Sequence, residues 1–335
     1  DELLSQLCKR CQKLNRLDVR YCEDLVDVSC LLACPGRWRT LKLDGCFRLD
    51  VCRLLEVAPG DFAALEELSL DGEHLEASHF ALLPTSCPKL QILLVSFAGE
   101  LDGSALACLA RLPFLDSLSL QKAGKPTDDE WASFFCSQRA CRCREAAEIE
   151  IQGDSWRVLN MSECELFCDR AASTLALSAL PHLVELDLSW CWNLGDAGLS
   201  AVLNAAPGLE RLRLAGVKHM SASSLVPCCQ MHKLEELDCT SCNNVADTFL
   251  EFLYRLFYAP PGGFCDDALP GLDLLPSRIA ETAASLWRRR LRWAPSLRIK
   301  NYYAQYLEDW SQLRPALAVC ELAEPLLADM QVGVA

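Results

Sequence analysis

The stretch Leu183–Leu203, LVELDLSWCWNLGDAGLSAVL, contains a strand, a turn and a helix start in that order. Leu183, Leu186 and Leu188 have the spacing LxxLxL, in which alternating residues form the buried side of a short strand. After the turn, Asp196 predicts a capped helix start. A unit of about 26 residues cannot bury both of its faces alone, so it predicts a stack of similar units.

The same unit recurs along the chain at a nearly constant interval. With Leu186 as the reference leucine, the equivalent residues are Leu17, Leu41, Leu68, Leu93, Leu118, Leu159, Leu212 and Leu237. The steps between successive reference leucines are 24, 27, 25, 25, 41, 27, 26 and 25 residues. Because seven of the eight steps agree with one period, we expect about nine repeats within residues 1–258.

Two other residue types keep fixed offsets from the reference leucine, although they did not define the register. Five residues after it stand Cys22, Cys46, Cys164, Cys191 and Cys242. Ten residues after it stand Asp27, Asp128, Asp169, Asp196 and Asp247. A free cysteine suits a small apolar position, and each aspartate predicts a helix cap worth roughly 1 kcal/mol.

The period is interrupted once and then ends. The 41-residue step predicts an insertion near residues 137–153, in a loop outside the stack of repeats. Residues 259–276, APPGGFCDDALPGLDLLP, contain paired prolines and glycines and predict a linker. Residues 277–335 have helical spacing and predict a helical C-terminal extension or cap. The chain opens at Asp1 in the helical part of a repeat, so we expect an excerpt that starts mid-repeat.

Composition limits the class of protein. The chain has 335 residues, of which 51% are hydrophobic and 23% charged, as in a globular protein. Its net charge of −14 argues against nucleic-acid binding, which needs clustered basic residues. No apolar run approaches the roughly 18 residues that a membrane helix needs. The 21 cysteines are an odd number that falls largely in repeat columns, which favours a reducing cytosol or nucleus.

The repeated form LxxLxLxxCxxLxD appears as LVELDLSWCWNLGD, LNRLDVRYCEDLVD and LEELDCTSCNNVAD. It resembles the cysteine-containing leucine-rich repeat of F-box/LRR proteins, over residue 1 to about residue 257. The resemblance implies an α/β fold, a right-handed solenoid or horseshoe with parallel strands on its concave face and helices on its convex face. In the F-box members the concave face and C-terminal region hold a substrate protein, while the F-box docks onto a cullin-based ubiquitin ligase. No F-box is visible in this chain.

The expected binding surface is the concave face, where the residues between and just after the strand leucines lie. The candidate partner-binding residues are Glu185, Asp187, Ser189, Trp190, Trp192, Arg211, Arg213, Glu236 and Asp238. Aromatic residues and arginine dominate the binding energy of many interfaces, which favours this interpretation. The alternative is that the two tryptophans only cover the edge of their turn.

Signatures of catalysis and metal binding do not appear in the sequence. There is no HExxH, no phosphate-binding glycine loop and no GxSxG motif, so we expect neither enzyme activity nor a cofactor. Cys136, Cys141, Cys143, Cys164 and Cys168 offer enough thiols for zinc. Their spacing does not form paired CxxC motifs, however, and we expect no metal site.

Together these features predict a protein–protein recognition module. The first hypothesis is the substrate-recognition part of an SCF-type (F-box/LRR) ubiquitin ligase that directs ubiquitin-dependent degradation. Such a protein would meet the cullin-ligase adaptor through a segment preceding Asp1. The alternative is a scaffold or regulatory binding protein of the same repeat type, with no F-box and no ligase link.

Overall fold

A computed structural model describes residues 1–27, 29–33, 36–56, 62–148, 156–178, 180–231, 233–245 and 298–300. The strands are β1 (Arg16–Asp18), β2 (Thr40–Lys42), β3 (Glu67–Asp71), β4 (Ile92–Ser96), β5 (Ser117–Leu120), β6 (Val158–Asn160), β7 (Glu185–Asp187), β8 (Arg211–Arg213), β9 (Glu236–Asp238) and β10 (Arg298–Lys300). The helices are α1 (Glu2–Arg10), α2 (Ser29–Leu32), α3 (Val51–Leu55), α4 (Ala77–Ala81), α5 (Leu83–Ser86), α6 (Gly103–Leu109), α7 (Asp128–Glu148), α8 (Asp169–Ala176) and α9 (Asp196–Ala205), with a 3-10 helix at Ala222–Gln230.

The strands form one parallel sheet in which each strand pairs with its neighbours in chain order. The reference leucines define its register, since Leu17 pairs with Leu41 and the series continues without a slip to the pair Leu212 and Leu237. Successive helices pack beside one another. The predicted α/β solenoid of parallel strands and helices, with one strand per repeat, is therefore confirmed. Its right hand stays a prediction.

Three leucine positions of each repeat supply the core. Around the central unit, Leu183, Leu186 and Leu188 are fully buried. The first of these positions is taken by tryptophan in two repeats, at Trp38 and Trp156, and both are buried as well. Because the buried side chains of successive repeats belong to one continuous cluster, no repeat has a core of its own.

The cysteine column has a hydrogen-bonding role between repeats. The thiols of Cys46, Cys164, Cys191 and Cys242 donate to a backbone carbonyl oxygen of the preceding repeat, over distances of 3.0 to 3.2 Å. In each case the acceptor lies two residues after the preceding reference leucine, as Met161 does for Cys191. A cysteine here satisfies a buried carbonyl while filling a small apolar space. Cys22, in the first strand-bearing repeat, is exposed.

The aspartate column caps helices differently from the sequence prediction. Asp196 was expected to cap its own helix, α9, but that helix has Gly195 as its N-cap and no side-chain capping bond. Its carboxylate instead accepts hydrogen bonds from the N–H and hydroxyl of Ser221, at the start of the 3-10 helix in the next repeat. Asp169 likewise accepts from the N–H of Gly195. Own-helix capping is wrong for these two residues, because adjacent helix starts lie side by side.

The first part of the predicted insertion is helical and packed, where the sequence predicted a loop outside the solenoid. Helix α7 continues from Asp128 through Glu148 and so includes the first part of the predicted insertion at 137–153. Gln138 and Arg142 are buried, and they donate to the carbonyl oxygens of Leu112 and Leu115, which shortly precede strand β5. The arginine also lies 4.2 Å from the ring centroid of Trp156. These buried polar contacts hold the helix extension against the core.

The C-terminal part of the chain enters the sheet once. Strand β10 pairs in parallel with β9, in a register that aligns Ile299 with Leu237. The sequence did not predict this strand, which falls within the segment 277–335 assigned to a helical extension. The predicted linker at 259–276 and the predicted helical cap otherwise lie outside the described residues.

Gly198 allows helices α8 and α9 to approach closely, which gives a test of their packing. A Cβ at this position would lie 2.6 Å from the Cα of Asp169 and 3.0 Å from the Cβ of Ala172. We expect Gly198→Ala to lower the free energy of unfolding by about 2 kcal/mol, because backbone must shift. Gly99→Ala is the control, since a Cβ there meets nothing within 4 Å. Equal urea midpoints for the two variants would contradict the close packing.

Asp128 provides a test of capping between repeats. Its carboxylate accepts from the backbone N–H groups of Cys168, Arg170 and Ala171, at the start of α8. Asp128→Ala should therefore lower the free energy of unfolding by about 1–2 kcal/mol. Its neighbour Asp129 only forms an exposed ion pair with Arg170, so Asp129→Ala should change stability by less than about 0.5 kcal/mol. Chemical denaturation that ranks the two variants in the opposite order would refute the capping role.

Candidate partner-binding surface

The predicted binding residues on the strands form two charge ladders on the face of the sheet opposite the leucines. In the first ladder, Glu185, Arg211 and Glu236 occupy one register across β7, β8 and β9. In the second, Asp187, Arg213 and Asp238 do the same. Strand β10 extends both with basic residues, Arg298 and Lys300. The structure therefore brings the predicted strand residues together with alternating sign, and we call this surface the strand face.

These charges are bound to one another. Arg211 and Arg213 both contact Glu185, at N–O distances of 2.8 and 2.5 Å. Arg213 also lies 3.9 Å from a carboxylate oxygen of Glu236, which in turn is 3.7 Å from Arg298. A partner that used these groups would first have to compete with ion pairs already made.

Four of the predicted residues are largely buried, namely Asp187, Ser189, Glu236 and Asp238. Asp187 accepts a hydrogen bond of 2.9 Å from the backbone N–H of Ser189, and Asp238 accepts one of 3.0 Å from the N–H of Thr240. These are turns in which a side chain binds the backbone two residues later. Asn160 accepts the equivalent bond from Ser162, so the turn does not require a charge.

The two acidic residues of β7 differ in their ionisation. Burial tends to raise the pKa of Glu185, but the hydrogen bonds from Arg211 and Arg213 outweigh burial, and the pKa of this carboxyl is lowered. For Asp187, burial dominates over the hydrogen bonds from Ser189 and the charge of Arg213, and its pKa is raised. At neutral pH the charge of Glu185 therefore stabilises the fold, whereas the charge of Asp187 destabilises it.

The two predicted tryptophans lie beside the strand face, at the turn that leaves strand β7. Trp190 has a φ of 63°, a left-handed conformation that is uncommon for a bulky residue. Its ring covers Gly216 of the next repeat, where a Cβ would come within 2.2 Å of the indole. The Nζ of Lys218 lies 4.1 Å from the ring centroid of Trp192. Both tryptophans remain partly exposed, at 40% and 37%, so they cover the turn and also face solvent.

The position of Trp190 recurs in the other repeats and was not recognised from the sequence. The residue four places after the reference leucine, which we call the exit residue, has positive φ in eight described repeats. These residues are Tyr21, Gly45, Phe97, Lys122, Glu163, Trp190, Gly216 and Ser241. The loop from three to ten residues after each reference leucine is called the exit loop, and the nine exit loops together form the exit edge. The residues at this position are of several types, so the recurring turn was not apparent from the sequence.

A cleft opens on the exit edge between three repeats. It has a volume of about 540 Å³ and is lined by Lys122, Gly124, Glu163, Glu165, Trp190 and Trp192. Lys122 lies 3.6 Å from Glu163 and 4.9 Å from the ring centroid of Phe97. The cleft therefore combines two exposed indoles with two carboxylates.

Two kinds of feature are absent from the part of the chain that the structure describes. No group of three His, Cys, Asp or Glu side chains is placed there to hold a metal ion. Among the candidate zinc thiols, Cys164 is buried and bonded to Leu120. No helix within the described ranges has the length and apolar character to cross a bilayer.

Comparison with known proteins identifies the repeat. A family model described as "Leucine Rich repeat" matches residues 179–203, the unit that contains β7 and most of α9. The register of the sheet shows that the same unit continues on either side. This unit is a leucine-rich repeat. A chain from the crystal structure of the Rad7 and Elc1 complex in yeast is similar, with 19% identity and a TM-score of 0.39. That match covers 58% of this chain and 54% of the yeast chain, about half the latter's length.

The opposite ionisation of Glu185 and Asp187 predicts opposite effects of neutralising them. At pH 7, Glu185→Gln should lower the free energy of unfolding by about 1–2 kcal/mol, because two arginine contacts are weakened. Asp187→Asn should raise it slightly, because a buried charge is removed while an amide oxygen can still bind the Ser189 N–H.

The pH dependence of stability checks these signs. The contribution of Glu185 is present above its ordinary pKa and is lost as the pH falls through its lowered value in the fold. The penalty at Asp187 is relieved as the pH falls through its raised value. Both variants should therefore approach the wild type as the pH falls below the pKa values that the two carboxyls have in the fold. Differences that persist unchanged at low pH would show that neither effect depends on charge.

Proposed function

We propose that this chain is a protein–protein recognition module, and that it serves as the substrate-recognition part of an SCF-type ubiquitin ligase. The observation that carries the recognition role is the pair of partly exposed tryptophans at the turn that leaves strand β7. Trp190 and Trp192 expose ring surface that the core does not need. Rigid aromatic residues of this kind are frequent anchors in protein interfaces.

The ligase part of the proposal is supported by the resemblance of the repeat form LxxLxLxxCxxLxD to that of F-box/LRR proteins. The adaptor of a cullin ligase would then be a partner through sequence preceding Asp1, and a substrate protein would bind the repeats. A leucine-rich repeat fold alone is compatible with many functions. The second candidate is therefore a scaffold or regulator built from the same repeats, without a ligase partner.

We include in the proposal a binding role without catalysis or a cofactor. The described carboxylates with lowered pKa values have structural reasons for the shift. For Asp102, hydrogen bonds from the Ser104 side chain and the Ala105 N–H lower the pKa at the start of α6. For Glu185, two arginines outweigh burial. These groups are occupied by structural contacts and are not poised as an acid or a base.

We also propose that the protein works in a reducing compartment, either the cytosol or the nucleus. The hydrogen bonds that Cys164, Cys191 and Cys242 donate between repeats require the thiol form. Burial raises the pKa of Cys164 to about 12 and that of Cys242 to about 11, which keeps both protonated at neutral pH. Reduced, protonated thiols in these positions support the fold.

Affinity purification separates the two functions. The Asp1–Ala335 chain and the whole gene product, carrying the same tag, are purified from cells of the source organism with the proteasome inhibited. We expect a protein partner with both, and the adaptor and cullin subunits with the whole product only. A partner that is ubiquitinated by the reconstituted complex would establish the substrate role.

The other outcomes have definite meanings. A protein partner without any ligase subunit in either purification would replace the ligase hypothesis with the scaffold hypothesis. If neither product captured a protein at levels above a tag-only control, the recognition role itself would be wrong. A core variant that unfolds the repeats, Leu186→Asp, should lose the partner and provides the control for specific capture.

A further inference from the structure

The exposed aromatic residues of this protein are concentrated on one surface. In the described part of the chain, the aromatic side chains with marked exposure are Tyr21, Phe47, Phe97, Trp190 and Trp192. All five fall four or six residues after a reference leucine, and therefore on the exit edge. Of the other described aromatic side chains, Phe114 is half-buried and the rest, such as Trp38 and Phe167, are buried in the core. An exposed row of this kind is typical of an interaction surface.

Charge distinguishes the exit edge from the strand face. On the strand face, the residues on either side of the strand leucines include six acidic and six basic residues from β1 to β10, so that surface is neutral. The nine exit loops contain sixteen acidic and five basic residues. The excess negative charge of the chain is therefore concentrated beside the exposed aromatic row.

The five basic residues of the exit loops offset only part of this excess, and three of them pair with carboxylates of the exit loops themselves. Arg20 pairs with Asp18 at 2.8 Å, Arg48 lies 3.7 Å from Asp24, and Lys218 covers the ring of Trp192. The two remaining lysines pair with glutamates of the adjacent repeats. A positively charged partner would meet acidic groups on the exit edge. On the strand face it would meet charges that are already paired with one another.

The cleft supplies a position for a basic side chain. It is lined by Glu163, Glu165 and the indoles of Trp190 and Trp192. Lys122 also lines it and pairs with Glu163, which leaves Glu165 as the other exposed carboxylate of the cleft. A lysine or arginine side chain can lay its methylene stem on an indole while its charged end meets a carboxylate. Glu163 and Trp190 are the exit residues of adjacent repeats, both have left-handed backbone, and both side chains are exposed.

We propose that the exit edge, and not the strand face, is the docking surface, and that its occupant is a basic segment of a partner protein that places a lysine or arginine in this cleft. The inference rests on the recognition role proposed above and adds to it the surface and the chemistry of the partner. Two features select this occupant over others: the acidic excess of the exit loops disfavours an acidic segment, and the net charge of −14 disfavours a second copy of the chain.

Synthetic peptides test the chemistry directly on the full 335-residue chain. The probe is a short fluorescent peptide in which every second residue is lysine, and its counterpart has glutamate at the same positions. Fluorescence anisotropy should show at least tenfold tighter binding of the lysine peptide. Its binding should also change the tryptophan emission, because two partly exposed indoles line the cleft.

Paired variants locate the site. Trp192→Ala and Glu165→Gln should each weaken binding of the lysine peptide about five- to tenfold, since an anchor or an ionic contact is lost. The matched controls are Leu177→Ala, an exposed apolar residue next to helix α8, and Glu2→Gln, an exposed acid on α1. Both controls should bind as the wild type does, and circular dichroism should show all four variants folded.

Several results would overturn the proposal. Equal affinity for the lysine and glutamate peptides would refute the basic occupant. Equal loss in the Glu165 and Glu2 variants would reduce the effect to general charge attraction. Self-association of the chain with no peptide binding would assign the aromatic row to a second copy. If a purified partner is captured normally by the Trp192 and Glu165 variants, the exit edge is refuted while the recognition role stands.

Discussion

Each repeat of this protein depends on its neighbour for hydrogen bonds that it cannot make alone. The strand pairs with the next strand, the thiol of the cysteine column bonds to the preceding repeat, and the aspartate of a helix start bonds to the following one. Around the central unit these roles belong to Leu186, Cys191 and Asp196. Buried donors and acceptors are costly when unpaired, so the register of one repeat fixes that of the next. A one-residue slip would break all three kinds of contact at once.

This constraint explains which parts of the structure the sequence could predict. The reference leucines have a single period and a single role, and their predicted register is the register of the sheet. Contacts between repeats were harder to predict from the sequence. A residue type that recurs at one position of every repeat does not show whether its hydrogen bonds lie within its own repeat or reach the next one. Asp196 was thus assigned to its own helix. The burial of Gln138 and Arg142 depends on carbonyl groups near Leu112 that no local pattern marks.

Strand β10 and the candidate site could not be predicted for a related reason. Strand β10 aligns Ile299 with Leu237, the last reference leucine, and these two residues are 62 positions apart, so the period of about 26 residues does not mark it. Its alternation of charge with β9 becomes visible only when the strands are aligned. The predicted site residues do lie together, but several are bound within the fold. Sequence pattern places a side chain on a face, whereas its hydrogen-bond partners decide whether it is available to another molecule.

The exit residue shows how the same fold leaves room for function. Its N–H donates to a carbonyl of the next repeat, as from Trp190 to Ala215 and from Glu163 to Ser189, and this bond holds the backbone in a left-handed conformation. That conformation costs about 1–2 kcal/mol for a residue other than glycine. Two of the eight exit residues with positive φ are glycine, and the others carry aromatic, charged or hydroxyl side chains. This hydrogen bond involves only backbone atoms, so it does not restrict the side chain of the exit residue. Aromatic, charged and hydroxyl side chains can therefore occupy the position and make contacts outside the core.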